Sequence, residues 1–239
     1  MTRSGFFGVS LVALTTFGAA CHTAMGEPGP RILPAPVLTE PAPATHHASA
    51  VFAGGCFWGV QSVFEHVRGV TATRAGFDGG ARDTADYETV SSGDTGHAES
   101  VEVDFDPTQV SYGTLMRIFF SVALDPTQVN RQFPDDGTQY RSVLYTRSAQ
   151  QLQEAHAYIA QLDAAHVFAR PIATQVAPDH GFYPAEADHQ NFAARYPDHP
   201  YIATYDAPRI EALHALFASS WRPQPVLTLA DDGGSGLSP

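Results

Sequence analysis

Cys56, in the stretch Gly54-Gly55-Cys56-Phe57-Trp58-Gly59, is the residue of this sequence best suited to covalent chemistry. A cysteine attacks as its thiolate, and a free cysteine with a pKa of ~8.5 is only a few per cent ionised at neutral pH. The two aromatic residues that follow would lie partly exposed beside the sulfur. The stretch therefore indicates a reactive cysteine next to an apolar pocket, with a small, buried, inert cysteine as the alternative.

The flanking residues predict a strand, a tight turn and a helix that would position this cysteine. Residues 48–53 are small and apolar, which is typical of a short strand. Gly54 and Gly55 permit the backbone angles of a tight turn. After the turn, apolar residues recur at the spacing of an amphipathic helix: Val60, Val63, Phe64 and Val67. Cys56 is thus expected at the first helical turn, where free N–H groups and the helix dipole favour the thiolate.

The motif Gly-Cys-Phe-Trp-Gly resembles the active-site motif of the A-type peptide methionine sulfoxide reductases, the MsrA family. Four further stretches match that family in its order: 86–90 (DYETV), 92–99 (SGDTGHAE), 135–142 (DDGTQYRS) and 185–190 (AEADHQ). Together the matches span about residues 51–196. The resemblance implies a protein-repair oxidoreductase of the response to oxidative stress, which reduces methionine S-sulfoxide, free or in peptides and proteins, to methionine.

This chemistry requires a nucleophile for the sulfoxide sulfur and an acid for its oxygen. Cys56 is the expected nucleophile, and it becomes a sulfenic acid as methionine is released. Glu99, immediately ahead of a strand, is the expected acid, which burial must keep protonated at neutral pH. The alternative is that Glu99 is a solvated residue at the start of the strand.

Five further residues are expected to bind the substrate. Tyr87 and Tyr140 carry phenols that can donate hydrogen bonds to the sulfoxide oxygen, although both could instead be amphipathic core residues. The resemblance implies that Phe57 and Trp58 hold the methyl group in an apolar slot. It also places Asp135 in the site as a hydrogen-bonding member.

Some neighbouring polar residues leave alternatives open. Asp136 is expected to be a turn residue, but it adjoins Asp135 and the two could be exchanged. His97 and His189 are expected to be structural rather than proton carriers.

Most well-known members of the resembled family carry resolving cysteines near the C-terminus, and no cysteine follows Cys56 in this sequence. We therefore expect a one-cysteine enzyme with no bound cofactor. Its sulfenic acid would be cleared by an external thiol reductant: a thioredoxin-like or glutaredoxin-like protein or a small thiol.

Composition narrows the possible partners and ligands. The 239 residues include 25 acidic and 13 basic side chains, a formal net charge of −12, and no cluster of lysines or arginines. A nucleic-acid partner is therefore not expected. Two cysteines are too few for a disulfide scaffold or a cysteine-based zinc site. The 11 histidines show no H-E-x-x-H or comparable spacing, so no metal site is expected.

The N-terminus has the features of an export signal over residues 1–20. Arg3 supplies one positive charge, a short apolar run covers residues 6–14, and small residues lead to Cys21. The Gly-Ala-Ala-Cys end resembles a lipoprotein cleavage box in which Cys21 becomes lipidated, although Gly18 stands where leucine is usual. Plain signal-peptide cleavage is the alternative. We expect an exported protein, either periplasmic or anchored to the membrane through a lipid on Cys21.

The rest of the chain divides by composition into three parts. Residues 21–47 are rich in proline and alanine and are expected to form a semi-extended tether. A reductase domain is expected over residues 48–222, followed by a flexible tail over residues 223–239. The protein is expected to be a monomer.

Strands separated by helices predict an α/β or α+β sandwich with two layers. Residues 100–105 alternate between apolar and polar side chains, which predicts a half-buried strand. Further helices are expected over residues 184–196 and 208–221. A mixed central sheet with helices packed on it is expected, and the resemblance implies an α+β fold with a ferredoxin-like core.

Two other kinds of protein could use the same residues. A cysteine hydrolase or acyltransferase would use Cys56 as nucleophile, with His97 or His189 as base and oxyanion donors nearby. An exported, lipid-anchored binding module would instead use Phe57 and Trp58 as a ligand surface.

Overall fold

The computed structural model of the chain describes Met1, residues 29–39 and residues 45–228. The predicted signal peptide after Met1, Cys21 with its predicted lipid, and the tail beyond residue 228 lie outside these described residues. Among the residues described, no helix has both the length and the apolar character needed to cross a membrane.

The strands and helices alternate along the chain. The strands are β1 (Ala48–Gly54), β2 (Val70–Asp78), β3 (Ala98–Phe105), β4 (Arg131–Gln132), β5 (Asp135–Asp136), β6 (Ser142–Thr146), β7 (Gln175–Pro178) and β8 (Tyr183–Pro184). The helices are α1 (Phe57–Glu65), α2 (Tyr87–Val90), α3 (Tyr112–Ile118), α4 (Ala149–Ala164), α5 (Phe192–Arg195) and α6 (Ala207–Leu216). A π-helical turn at Phe119–Ala123 extends α3, and another at Ile202–Asp206 leads into α6.

The described residues contain one six-stranded sheet with the order β7-β6-β1-β3-β2-β8, while β4 and β5 form a separate hairpin. Only β6 and β7 of the large sheet pair in parallel, so the predicted mixed sheet is confirmed. β1 and β2 are both antiparallel to β3, which lies between them, and α1 connects them as a crossover. This split β-α-β arrangement, continued by α3 and β6, is the predicted ferredoxin-like core.

The sheet buries apolar residues on both faces. Phe52 of β1 and Val101 of β3 belong to the larger core, which also contains residues of α1 and α3. Val51 of β1 belongs to a smaller cluster with Val143 and Tyr145 of β6. Because β1 is central and covered on both sides, it has the continuous apolar sequence of a buried strand.

The helix expected over residues 184–196 does not form. It is replaced by β8, a 3₁₀ turn at Ala187–His189 and the single turn of α5. The Gln190 side chain bonds both backbone polar groups of Ala75, and Asn191 takes a left-handed φ of +52°. These tertiary bonds and the left-handed residue interrupt the helical path.

The last helix differs from the predicted 208–221 at its C-terminal end. It stops at Leu216, and the backbone of Phe217 leaves the helical region with φ −127°. Trp221 instead forms an isolated antiparallel bridge with Val67, just after α1.

Part of the predicted tether packs on the domain. Leu33 is only 2 % exposed, and the Arg31 N–H donates to the carbonyl of Ser121 at 3.0 Å. Tyr158 of α4 donates its phenol to the Pro34 carbonyl at 2.8 Å. Residues 29–39 are therefore a strap across the α3 and α4 side rather than a free tether, because the preformed surface supplies the apolar contacts that this segment lacks internally.

The C-terminal side is also packed beyond the predicted end of the domain. The Val226 N–H donates to the Glu65 carbonyl at 2.9 Å, and the Asn191 side chain donates to the Thr228 carbonyl at 2.7 Å. Residues 223–228, predicted to belong to a flexible tail, thus follow α1 and β2 closely.

Candidate active site

Cys56 lies at the N-cap of α1, where β1 ends and the chain turns into the helix. Gly55 makes this turn with a φ of +92°, which L side chains rarely adopt. A Cβ at Gly55 would come within 2.6 Å of the Gln132 side chain, so β4 also packs closely here. Cys56 keeps 8 % of its surface exposed, which places it just beneath the molecular surface.

Glu99, on β3, is fixed against the N-terminus of α1. Its side chain is buried, and its Oε2 accepts a hydrogen bond from the Phe57 N–H at 2.9 Å. Within the described chain Cys56 makes no side-chain capping bond, so Glu99 caps this helix from the neighbouring strand. Burial raises the pKa of Glu99 to about 8, although the bond from Phe57 lowers it. The carboxyl is therefore mostly protonated at neutral pH.

The expectation that the helix terminus holds Cys56 as a thiolate is wrong for the free protein. Burial raises the pKa of Cys56 well above its ordinary value, and the charges of Glu99, Asp206 and Asp135 raise it further. A backbone hydrogen bond from Trp58 lowers it. A helix terminus supplies only about half an elementary charge, and burial among carboxyl groups outweighs it.

Tyr87 and Tyr140 share one electrostatic environment with Cys56 and Glu99. Burial raises the pKa of Tyr87 to about 12, and the charges of Glu99, Cys56 and Asp135 contribute. Burial and the same three charges also raise the pKa of Tyr140. Both phenols are therefore protonated at neutral pH and can donate hydrogen bonds into this space.

Asp135, and not Asp136, faces this group of residues. The Tyr201 phenol donates to Asp135 Oδ2 at 2.5 Å, which lowers the pKa of Asp135, while burial raises it. Asp136 is exposed and pairs with Arg131 at 3.2 Å. The two neighbours diverge because successive side chains of a strand point to opposite faces.

Aromatic rings form the apolar side of the site. Phe57 is completely buried, where the sequence suggested partial exposure, and its ring centroid lies 6.1 Å from that of Tyr87. Trp58, which is partly buried, stacks on Phe192 at 3.8 Å. His189 stacks on Tyr87 at 4.0 Å and faces Trp58 at 6.0 Å. The arrangement gives an apolar wall beside the sulfur.

Sequence reasoning missed two residues of the site. Tyr201 bonds Asp135 and meets the Trp58 ring edge-on at 6.0 Å. Asp206 has no exposed surface, and its charge affects Cys56. An aspartate shortly before a proline, as Asp206 is before Pro208, is a sequence signal for the start of a helix. The positions of Tyr201 and Asp206 in the sequence give no sign that they lie near Cys56.

His97 is occupied by structural hydrogen bonds. Its Nδ1 accepts from the Gly80 N–H at 3.2 Å, and its Nε2 lies 3.0 Å from the Ala81 carbonyl. With both ring nitrogens engaged, it cannot serve Cys56 as a base. In residues 29–39 and 45–228, no group of three or more His, Cys, Asp or Glu residues is placed to hold a metal ion.

Comparison with known proteins agrees with this geometry. Residues 48–220 match the family model for peptide methionine sulfoxide reductase. The chain is 50 % identical over 182 residues to peptide methionine sulfoxide reductase MsrA 2 of Mesorhizobium japonicum, covering 76 % of this chain and 93 % of the relative. Identity to MsrA 2 of a Synechocystis species is 46 % over 201 residues, covering 83 % of this chain and 94 % of the relative.

Solved structures show the same fold. Methionine sulfoxide reductase A of Corynebacterium diphtheriae matches with a TM-score of 0.55 and 34 % identity, covering 72 % of this chain and 87 % of that one. Reduced Mxr1 of Saccharomyces cerevisiae matches with a TM-score of 0.58 and 28 % identity, covering 66 % and 91 %. The chain belongs to the peptide methionine sulfoxide reductase family and is an oxidoreductase that reduces methionine sulfoxide.

Proposed function

We propose that Cys56 is the nucleophile and Glu99 the general acid of this reduction, acting on the S epimer of the sulfoxide. The observation that carries the assignment is the hydrogen bond from the Phe57 N–H to Glu99. It holds a buried, protonated carboxyl at the helix turn that also bears the thiol. An acid and a nucleophile side by side suit a substrate whose sulfur is attacked while its oxygen leaves.

The reaction balances with these groups alone. The Cys56 sulfur bonds to the sulfoxide sulfur, Glu99 protonates the sulfoxide oxygen, and the sulfur–oxygen bond breaks, which releases that oxygen as hydroxide. The hydroxide then attacks the Cys56 sulfur, and the sulfur–sulfur bond breaks with its electron pair staying on the methionine. The substrate sulfur gains two electrons and Cys56 loses two. The sulfoxide oxygen and the thiol proton end on the sulfenic acid, and Glu99 recovers its proton, so the products are methionine and oxidised Cys56.

The remaining residues bind the substrate on two sides. Tyr87, Tyr140 and Asp135 form the polar side, which suits the sulfoxide oxygen. Phe57 and Trp58 form the apolar wall and receive the methyl group. A site with one polar and one apolar side orients a sulfoxide, because its oxygen and its methyl group differ in the same way.

An external thiol regenerates the enzyme. Cys21 is the only other cysteine in the 239 residues. A thiol attacks the sulfenic acid, water leaves and a mixed disulfide forms; a second thiol then releases Cys56. The thiol can come from a thioredoxin-like protein, a glutaredoxin-like protein or a small molecule, because all three react with the sulfenic acid in the same way.

A single-turnover experiment on the full chain tests this cycle. The Cys21→Ser variant is mixed with each epimer of a blocked methionine sulfoxide in the absence of reductant. We expect one equivalent of methionine per chain from the S epimer and a gain of one oxygen on Cys56 by mass spectrometry. The additional change Cys56→Ser should abolish this single-turnover burst of methionine, whereas Asp136→Asn should leave the burst unchanged. Release of methionine without oxidation of Cys56 would contradict the assignment.

We also propose export of the protein and attachment to the membrane through a lipid on Cys21. The support is the sequence of residues 1–21, with its charged start, apolar run and lipobox-like end. In cells, the intact chain should fractionate with membranes and Cys21→Ser should not. A Cys21 peptide without added lipid mass would overturn the lipid anchor, and cytoplasmic fractionation would overturn export.

A further inference from the structure

Asp206 joins two helical segments and caps neither with its side chain. It ends the π-helical turn Ile202–Asp206, which runs directly into α6, whereas an aspartate at a free helix start would accept a hydrogen bond from the first helical turn. Within the described residues its carboxyl makes no such bond, and the residue has no exposed surface. A buried carboxylate costs free energy unless it is well paired, so its position calls for a different explanation.

The carboxyl lies against the first turn of α1. A Cβ at Gly59 would fall 2.2 Å from Asp206 Oδ1 and 2.7 Å from the Arg209 guanidinium, so only glycine leaves room for this pair. Gly59 follows Cys56 by three residues, a spacing that places both on one side of the helix. The last glycine of the Gly-Cys-Phe-Trp-Gly motif thus admits a buried carboxyl beside the reactive turn.

The pairing of this carboxyl is incomplete. Oδ1 lies 3.5 Å from Arg209, which is long for a hydrogen bond between charged groups. Oδ2 is buried and has no hydrogen-bond partner among the described residues. Because this carboxylate is only weakly neutralised, its negative charge acts on the groups around it.

Charged and titratable groups approach Asp206 from three elements. Arg209 lies on α6, Asp135 on β5 and Cys56 at the start of α1. The charge of Asp206 also contributes to the raised pKa of the Tyr201 phenol. Burial raises the pKa of Asp206 to about 7, Arg209 lowers it and Asp135 raises it. Asp206 therefore changes charge near neutral pH.

We propose that Asp206 is a positioning residue whose buried carboxylate holds Cys56 in its thiol form while the site is empty. The carboxylate repels a second negative charge at the neighbouring sulfur. In a chain with one cysteine in its domain, this restrains the reactive thiolate until substrate binds. The inference rests on the proposed nucleophilic role of Cys56, but its test measures ionisation and not sulfoxide reduction.

The test compares alkylation of Cys56 by iodoacetamide in the full-length Cys21→Ser chain with and without Asp206→Asn. Rates are measured from pH 6 to pH 10 by mass spectrometry of the Cys56 peptide. Asparagine keeps the shape, removes the charge and leaves Arg209 to favour the thiolate. We expect alkylation about tenfold faster at pH 8, which corresponds to a shift of about one pKa unit.

Glu65→Gln is the matched control. Glu65 is also a buried carboxyl of α1, with an oxygen that has no hydrogen-bond partner in the described part of the chain, but it lies at the other end of the helix. This variant should alkylate at the same rate and with the same pH midpoint as its parent. Equal rates and midpoints for a folded Asp206→Asn protein would overturn the proposal.

A second measurement needs no change at Asp206. In a Glu99→Gln, Asp135→Asn background, the pH profile of alkylation should be broader than a single ionisation, because Asp206 still titrates near neutral pH. A single ionisation step would contradict the proposal even if Asp206→Asn failed to fold. The methionine burst without reductant reports separately on the proposed role of Cys56.

Discussion

Replacing Glu99 with glutamine should change both the pH dependence of stability and the rate of reduction. Glutamine keeps an oxygen that can accept the bond from the Phe57 N–H, but it cannot titrate or donate a proton as an acid. The comparison therefore isolates the proton carried by the Glu99 carboxyl. We place this change in the full-length Cys21→Ser chain to exclude intermolecular disulfides.

The magnitude follows from the pKa of this buried group, about 8 in the folded protein against an ordinary 4.5. The folded state holds the proton more tightly, so the stabilising contribution is complete below pH 4.5 and is lost as the pH rises through about 8. The difference corresponds to about 3–5 kcal/mol. The free energy of unfolding of Glu99→Gln, relative to its parent, should increase by about this amount between pH 4.5 and pH 9.

Urea denaturation at several pH values measures this difference, with Asp136→Asn as an exposed-carboxyl control that should show little pH dependence. Loss of the general acid should also lower kcat by about a hundredfold or more. The residual activity should lose any decline with pH that centres near the Glu99 pKa of about 8. A stability difference that is the same at every pH would refute the reasoning, because Glu99 would then titrate like a solvated carboxyl.

Three other substitutions test separate parts of the structure. Leu33→Ala should lower the free energy of unfolding by about 2–3 kcal/mol in urea denaturation. Val37→Ala, at a position that is 86 % exposed, should lower it by less than about 0.5 kcal/mol. Equal effects of the two changes would contradict the packing of the strap. Gly59→Ala should cost about 1–3 kcal/mol by the same assay, since its Cβ would meet a carboxyl oxygen at 2.2 Å, and a variant of parental stability would disprove that contact. Tyr201→Phe removes the 2.5 Å bond to Asp135 and should lower kcat/KM about tenfold in steady-state assays; unchanged kinetics would separate this bond from substrate binding.

The strand–turn–helix around Cys56 could be predicted because its signals are local. Two glycines between an apolar strand and an i, i+3, i+4 stripe leave few other arrangements, and α1 begins at Phe57 as expected. The alternation of residues 100–105 likewise predicts β3 without reference to any tertiary contact. Such a pattern indicates which face of an element is buried, and the residues that form the pattern are close together in the chain.

The helix expected over residues 184–196 shows where local reasoning fails. Its apolar and polar spacing is compatible with a helix, but Gln190 satisfies the backbone of Ala75 instead. The prediction of a free tether fails over residues 29–39 for the opposite reason. These residues contain too little apolar surface to fold alone, but packing on α3 and α4 orders them. In both segments a distant surface outweighs the local preference.

The sequence alone was enough to predict the nucleophilic cysteine motif, the mixed sheet with helices packed on it, and the candidate acid at the start of β3. Three features depend on tertiary contacts instead: Asp135 rather than Asp136 faces the site, Asp206 lies beside the first turn of α1, and burial raises the pKa of Cys56. Motifs are read from neighbours along the chain. An ionisation equilibrium instead depends on burial and on charges from every element that packs around the group, and folding alone brings those together.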